Sequence, residues 1–324
     1  MQQADLPQRV SVGNKTVRIQ QRLGNGAFGV VYKVKDEASY EVHALKDVLC
    51  LNASALRNAL RRASALSQIL HKNLITIAGP DEFLYSKGLH MLLLTEYCSG
   101  GSLNDRLARL SSEEMNMKWI CQTAAALAHL HSRGVVHCDL KADNVLLTAT
   151  EDVKLADFGL VSEYTELRVK PTRISQDESS WITSYAQYYM NSGIGPIHWM
   201  APEFFTGHYA ENADVFSLGS LFFAILERDF IAIDGKTIYG TFVENPTEGK
   251  VGLGFAMEKL NRQIKIAFSS YAQGSMALQR VVLETLQYDA NDRPSAQEVY
   301  DKVINIRQGI KLHQQPSPET AWCC

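Results

Sequence analysis

Little in this chain ties it to a membrane, a nucleic acid or an oxidising compartment. Its longest apolar stretch, Val215 to Leu226, is broken by Ser217, Gly219 and Ser220. It falls short of the ~20 apolar residues that span a bilayer, so it predicts a buried helix and no transmembrane segment. Residues 1–9 are polar and hold no signal-peptide core. Neither sign of charge dominates: 32 Lys and Arg stand against 35 Asp and Glu, a net charge of -3. That balance gives no reason to expect nucleic acid or an anionic membrane as the main partner. Cysteine is scarce and scattered. Cys50, Cys98, Cys121 and Cys138 show neither metal-ligand spacing nor a disulfide framework. The compartment expected is therefore a reducing, intracellular one, cytoplasm or nucleus. Cys323-Cys324 reads as a frayed tail or, alternatively, as a two-cysteine lipidation signal. Acid is missing from one long stretch: no Asp or Glu lies between Asp47 and Asp81.

What is present suffices for a large core. With 46% hydrophobic and 21% charged residues, 324 residues can form one two-lobed domain or two ordinary ones. The most informative stretch is His137-Cys138-Asp139-Leu140-Lys141-Ala142-Asp143-Asn144. It sets an acid, a base two residues later and an amide five residues after the acid into a polar loop, just before the apolar run Val145-Leu146-Leu147. Thirteen residues past Asn144 comes Asp157-Phe158-Gly159, beyond Val153-Lys154-Leu155-Ala156. A carboxylate at the end of that short strand can reach a metal ion from the side opposite Asn144.

Upstream lies Gly24-Asn25-Gly26-Ala27-Phe28-Gly29. Glycines let a backbone lie close over phosphates, and Phe28 can cap them from water. The same pattern in dinucleotide folds opens a helix. Here the β-branched run Val30-Val31-Tyr32-Lys33-Val34 predicts a strand-turn-strand hairpin instead. An alternating strand, Glu41 to Lys46, follows and ends in Ala44-Leu45-Lys46, its lysine seventeen residues past Gly29. Residues 52–70 predict an amphipathic helix carrying Leu56, Leu60, Leu66, Ile69 and Leu70 on one stripe. Met91 to Thr95 reads as a strand, and Glu96 to Gly101 as a glycine-bearing joint. Ser111-Ser112-Glu113-Glu114 predicts a capping box before a long helix that ends at Gly134. Ser295-Ala296-Gln297-Glu298 caps a last helix running to about Ile306.

Seven motifs in order, over about residues 17–308, resemble a eukaryotic-type protein kinase in its serine/threonine form. Gly207-His208-Tyr209, the helix start at Ala213, Leu226-Glu227-Arg228 and Ile233-Asp234 further resemble the PDLIM-interacting-kinase-like group. The resemblance implies an α+β bilobal fold. Its small β-rich N-lobe, with one main helix, would cover about 15–97, and its mostly helical C-lobe about 98–308. Residues 1–14 would be a disordered lead-in and 309–324 a disordered tail. It also implies ATP and Mg2+ as cofactors and a protein hydroxyl as acceptor. In that scheme Asp139 is the catalytic base, Lys141 neutralises the transferred phosphoryl group, and Asn144 and Asp157 hold the metal. Gly24, Asn25, Gly26, Ala27, Phe28 and Gly29 cover the phosphates, which Lys46 binds. Val31, Ala44 and Leu146 belong to the same nucleotide site, with Thr95 as gatekeeper and Glu96 and Cys98 offering backbone groups to adenine. Asp214 would hold the catalytic loop, and Arg293 would pair with Glu203.

Three departures from the pattern matter. Arg62 stands where kinases carry the helix glutamate that pairs with the phosphate-binding lysine. Cys138 replaces an arginine that often pairs with a phosphorylated activation loop. Pro196-Ile197-His198-Trp199-Met200 is tyrosine-kinase-like, which keeps dual specificity open. Arg62 and Cys138 also keep open a pseudokinase, a nucleotide-binding scaffold that signals by conformation. The long segment Leu160 to Gly195 offers Tyr164, Thr172, Ser175, Ser179, Tyr185, Tyr188 and Tyr189 as phosphoacceptors.

Overall fold

In β3 (Gly29–Asp36), Val30, Tyr32 and Val34 are buried while Val31, Lys33 and Lys35 are less so, the period-two pattern of a half-buried strand. The computed structural model, which describes residues 6–26, 29–50, 52–85, 88–158, 198–206, 210–233 and 235–314, builds the N-lobe on such strands. β1 (Arg9–Val12), β2 (Lys15–Gly26), β3, β4 (Val42–Cys50), β5 (Ile77–Tyr85) and β6 (Gly88–Glu96) form one antiparallel sheet in the order β1-β2-β3-β4-β6-β5. Gly13 N, in the turn at one edge, donates to Asp81 Oδ2 on the other edge strand at 2.7 Å. The sheet thus curls around Leu6, Val10, Val17, Tyr32, Leu45 and Leu92, which are all buried.

That curl corrects the lead-in expected over residues 1–14. From Leu6 onward the chain is ordered because Leu6, Val10 and Val12 give the curled sheet three apolar side chains to bury. The helix expected over 52–70 is shorter. It is α1 (Ala53–Leu66), which buries Leu56, Ala59, Ala63 and Leu66 and leaves Leu70 67% exposed beyond its end.

The C-lobe begins at β7 (Gly101–Ser102) and α2 (Leu103–Arg106), followed by α3 (Glu113–His131). At α3 the expected capping box is replaced by a simple cap. Ser112 Oγ accepts from Met115 N at 3.2 Å, and the position where the box would need a Glu is methionine. β8 (Val145–Leu147) pairs with β7 on one side and β9 (Val153–Leu155) on the other, in a three-stranded sheet under the cleft. α4 (Glu211–Glu227) is the predicted buried helix, covered from Ala213 to Leu226. A Cβ on its Gly219 would lie 1.8 Å from Thr285 Oγ1, so glycine sets how closely α4 approaches the helix carrying Thr285.

Two hairpins that the sequence did not announce follow: β10 (Phe230–Ile233) with β11 (Lys236–Tyr239), and β12 (Phe242–Asn245) with β13 (Gly249–Gly252). α5 (Leu253–Leu260), α6 (Met276–Thr285) and α7 (Ala296–Gln314) complete the lobe. The expected box at α7 is present, with Ser295 N donating to Glu298 Oε2 at 2.8 Å and Glu298 N to Ser295 Oγ at 3.2 Å. The helix runs past Ile306 to Gln314, so residues 309–314 are helical where a tail was expected. Gly309 weakens a helix by only about 1 kcal/mol relative to Ala. Ala27, Phe28, Gly159 and the phosphoacceptors Tyr164 to Tyr189 lie outside the described residues. Among the described residues, no helix is long and apolar enough to cross a membrane.

Candidate active site

The curled N-lobe sheet sits over β8 and β9, and a cleft of about 570 Å³ opens between them. The joint is made by backbone and carboxylate together. Ile75 N donates to Leu155 O at 2.9 Å and Leu155 N to Asn73 O at 2.8 Å, while Asn73 Nδ2 donates to Val153 O at 2.9 Å. Glu96 accepts from Thr76 N at 2.7 Å and from Lys154 Nζ at 2.9 Å. Sequence reasoning credited Glu96 with its backbone alone. Its side chain, tying β6 to β9, is legible only once the lobes are docked.

Val31, Ala44, Thr95, Cys98 and Leu146, all proposed from sequence, line the cleft. Leu23, Ile75, Ile77, Leu93, Ala156 and Phe158 add apolar surface that the sequence had not assigned to the nucleotide site. Such a slot suits a flat aromatic ring. Burial pushes the Cys98 thiol up to about 12, so it stays protonated there. Gly24 is in the lining, and Asn25 and Gly26 close the end of β2 against β3. Gly29 has a packing role as well. A Cβ there would lie 2.1 Å from Asp47 O.

The charged groups converge on the floor. Lys46 is buried on β4, and its Nζ lies 2.7 Å from Asp157 Oδ2. Arg62 is exposed on α1, at the edge of the buried stripe that holds Ala59 and Ala63. Asp157 holds a φ of +59°, a strained conformation for a non-glycine residue that turns the chain sharply after β9. Burial raises the carboxyl's pKa, but Lys46, its hydrogen bond and Lys141 outweigh that and hold it below the ordinary carboxylate value.

Asp139 is buried and fully engaged. Lys141 Nζ lies 2.9 and 2.7 Å from its two carboxylate oxygens, and Asn144 Nδ2 donates to its Oδ2 at 2.9 Å and to its backbone carbonyl at 2.7 Å. The loop that presents it is pinned from below. Asp214, on α4 and fully buried, accepts from His137 N at 2.6 Å and Cys138 N at 3.0 Å, as the sequence implied, and His131 Nε2 lies 2.9 Å from it. Cys138 adopts a φ of +68°, which re-aims the chain so that Asp139 faces inward. His137 is fully buried, its pKa held down by desolvation that outweighs Asp214 and Asp139. Its neutral Nδ1 accepts from Asp139 N at 3.2 Å.

Ala156 N donates to Asn144 O at 2.9 Å, which fixes the two metal-ligand candidates side by side. With the Asn144 amide nitrogen donating to Asp139, its amide oxygen remains for a cation, next to the Asp157 carboxylate. Two hard oxygens fit Mg2+, which takes few protein ligands and completes its shell with phosphate and water. Farther down, Arg293 forks onto Glu203 at 2.6 and 2.8 Å, the pair expected from the sequence. Arg293 also donates to the backbone carbonyls of Asn212, Gln287 and Tyr288.

A cleft of this chemistry on two such lobes can be compared with known proteins. The chain is 30% identical over 226 residues to serine/threonine-protein kinase 1 of Arabidopsis thaliana. The match takes in 68% of this chain and 24% of that protein, so the chain spans about a quarter of the curated relative's length. The family description "Protein kinase domain" matches residues 17–303, from β2 into α7 and so across both lobes and the whole cleft. The chain therefore belongs to the protein kinase domain family, whose members use ATP with a divalent metal, generally Mg2+.

Proposed function

We propose that this protein transfers the γ-phosphoryl group of ATP to a serine or threonine hydroxyl of another protein. The observation that carries the reading is the state of Asp139. Its carboxylate is buried, oriented by Asn144 and charge-balanced by Lys141, in the cleft where Lys46 meets Asp157. In the reaction the acceptor oxygen bonds to the γ-phosphorus, the bond to the bridging oxygen of ADP breaks, and the hydroxyl proton passes to Asp139. Lys141 stays beside the phosphoryl oxygens as charge spreads over them, and Lys46 holds the α- and β-phosphates. Asn144 and Asp157 would hold Mg2+, which neutralises the triphosphate.

The relative's name and the Asp139-Leu140-Lys141 order favour Ser/Thr over Tyr. Membership of the PDLIM-interacting-kinase-like group and residence in the cytoplasm or nucleus belong to the same proposal. The latter is supported by Cys50, Cys98, Cys121 and Cys138, all of them free thiols. The test is a transfer assay with labelled ATP and a generic protein acceptor, comparing wild type with Asp139→Asn and followed by phosphoamino-acid analysis. Loss of the base should lower the rate by about 10²- to 10⁴-fold, with label on Ser and Thr alone in the wild type. Nucleotide binding with no transfer in the wild type would establish a pseudokinase in place of the enzyme.

A further inference from the structure

One of the two hairpins between α4 and α5 reaches the rim of the cleft. Asn104 of α2, itself buried, clamps it: Nδ2 donates to Thr237 O at 2.9 Å and Oδ1 accepts from Tyr239 N at 3.2 Å. Gly235, at φ +76°, makes the turn that starts β11. Lys236 is thereby brought to the cleft lining, with its Nζ 2.6 Å from Asp143 Oδ1. Asp143 lies four residues after Asp139 and directly before Asn144. Its carboxylate lines the cleft together with Asn144 and Asp157, where an acceptor would meet the phosphoryl group.

Left uncovered, that carboxylate would attract cationic side chains flanking the acceptor. An ammonium laid on it cancels the attraction. The pair is partly open to solvent, with Lys236 55% and Asp143 28% exposed, so an arriving peptide meets it directly. We infer that Lys236 is a specificity-determining residue: by covering Asp143 it removes the advantage that this carboxylate would give Arg- or Lys-flanked acceptors, so that hydroxyl-bearing segments with neutral flanks are taken equally well. The inference rests on the phosphotransfer reading for the word substrate, and on the geometry alone for the recognition.

The test uses the full chain as wild type, Lys236→Ala and the double variant Lys236→Ala/Asp143→Asn. Each is titrated at low ionic strength with two short fluorescent serine peptides, one flanked by arginine and the other by glutamine. Near-equal affinities are expected for wild type, a preference of about five-fold for the arginine peptide in Lys236→Ala, and equality again in the double variant. An arginine-peptide affinity that is unchanged or undetectable in Lys236→Ala overturns the inference. So does a preference that survives Asp143→Asn, which would point to Asp105 on the same rim. Binding needs no turnover, so the peptide titration is independent of the transfer assay. Absent transfer with the peptide pattern intact would remove the kinase reaction and keep the recognition.

Discussion

Asp157 serves two neighbours through one carboxylate. It meets Lys46 at 2.7 Å, and it stands beside Asn144 where a cation would be held. Arg62 stands where kinases carry the glutamate of the small-lobe helix, and Asp157 is an anchor of Lys46. Asp157→Ala should therefore remove a metal ligand and an anchor at once. A metal ligand supplies several kcal/mol of transition-state stabilisation, and each 1.36 kcal/mol is tenfold in rate. Transfer should fall by at least about 10²-fold, with far-ultraviolet circular dichroism unchanged. Initial rates within a few-fold of wild type would sink this role for Asp157.

Among the elements, α1 differs most from its family role. Its buried stripe is Leu56, Ala59, Ala63 and Leu66, and that stripe turns Arg62 to the exposed side. Exposure to solvent screens the charge of Arg62. Arg62→Ala should shift stability by no more than about 0.5 kcal/mol and leave ATP affinity within two-fold, whereas Lys46→Ala should weaken ATP binding by an order of magnitude or more. Isothermal titration with ATP and Mg2+ distinguishes the two. Comparable losses in both variants would give Arg62 a positive role on the nucleotide. Arg62→Glu should also leave activity within a few-fold of wild type, because position 62 is exposed to solvent.

At the scale of the whole molecule, buried imidazoles set the response to acid. His198 is 8% exposed, neither ring nitrogen has a hydrogen-bond partner among the described residues, and burial pushes its pKa down to about 4. His71, His129 and His137 are lowered as well, each chiefly by burial. A histidine depressed in the fold takes up its proton only on unfolding. Its contribution is therefore complete above the unfolded value near 6.5 and is lost as pH falls toward the folded value. For His198 that amounts to about 3 kcal/mol over the window from 6.5 to 4. Urea melts at pH 7.5 and 5 should show a marked fall in stability for wild type and a smaller one for His198→Phe. Equal slopes for the two proteins would exclude His198 as a source.

The division between sequence and tertiary structure follows the range of the interactions. Local order alone determined the catalytic-loop spacing from Asp139 to Asn144, the glycine turn, Lys46 on its alternating strand, the buried run Val215 to Leu226 and the Ser295–Glu298 cap. Each of these depends on neighbours a few residues away or on one period of a strand or helix. Family resemblance, likewise read from motif order, pointed to Asp214 under the loop and to the Arg293–Glu203 pair. What only the fold decided is set by packing between distant segments. The strand at Arg9–Val12 exists because a curled sheet has room for Leu6, Val10 and Val12. Arg62 faces outward because alanines and leucines claim the inner face of α1. Lys236 meets Asp143 across 93 residues of sequence because Asn104 holds a hairpin against α2. No pattern in the chain joins Lys236 to Asp143, since the contact is made by the clamp and by neither residue's own surroundings.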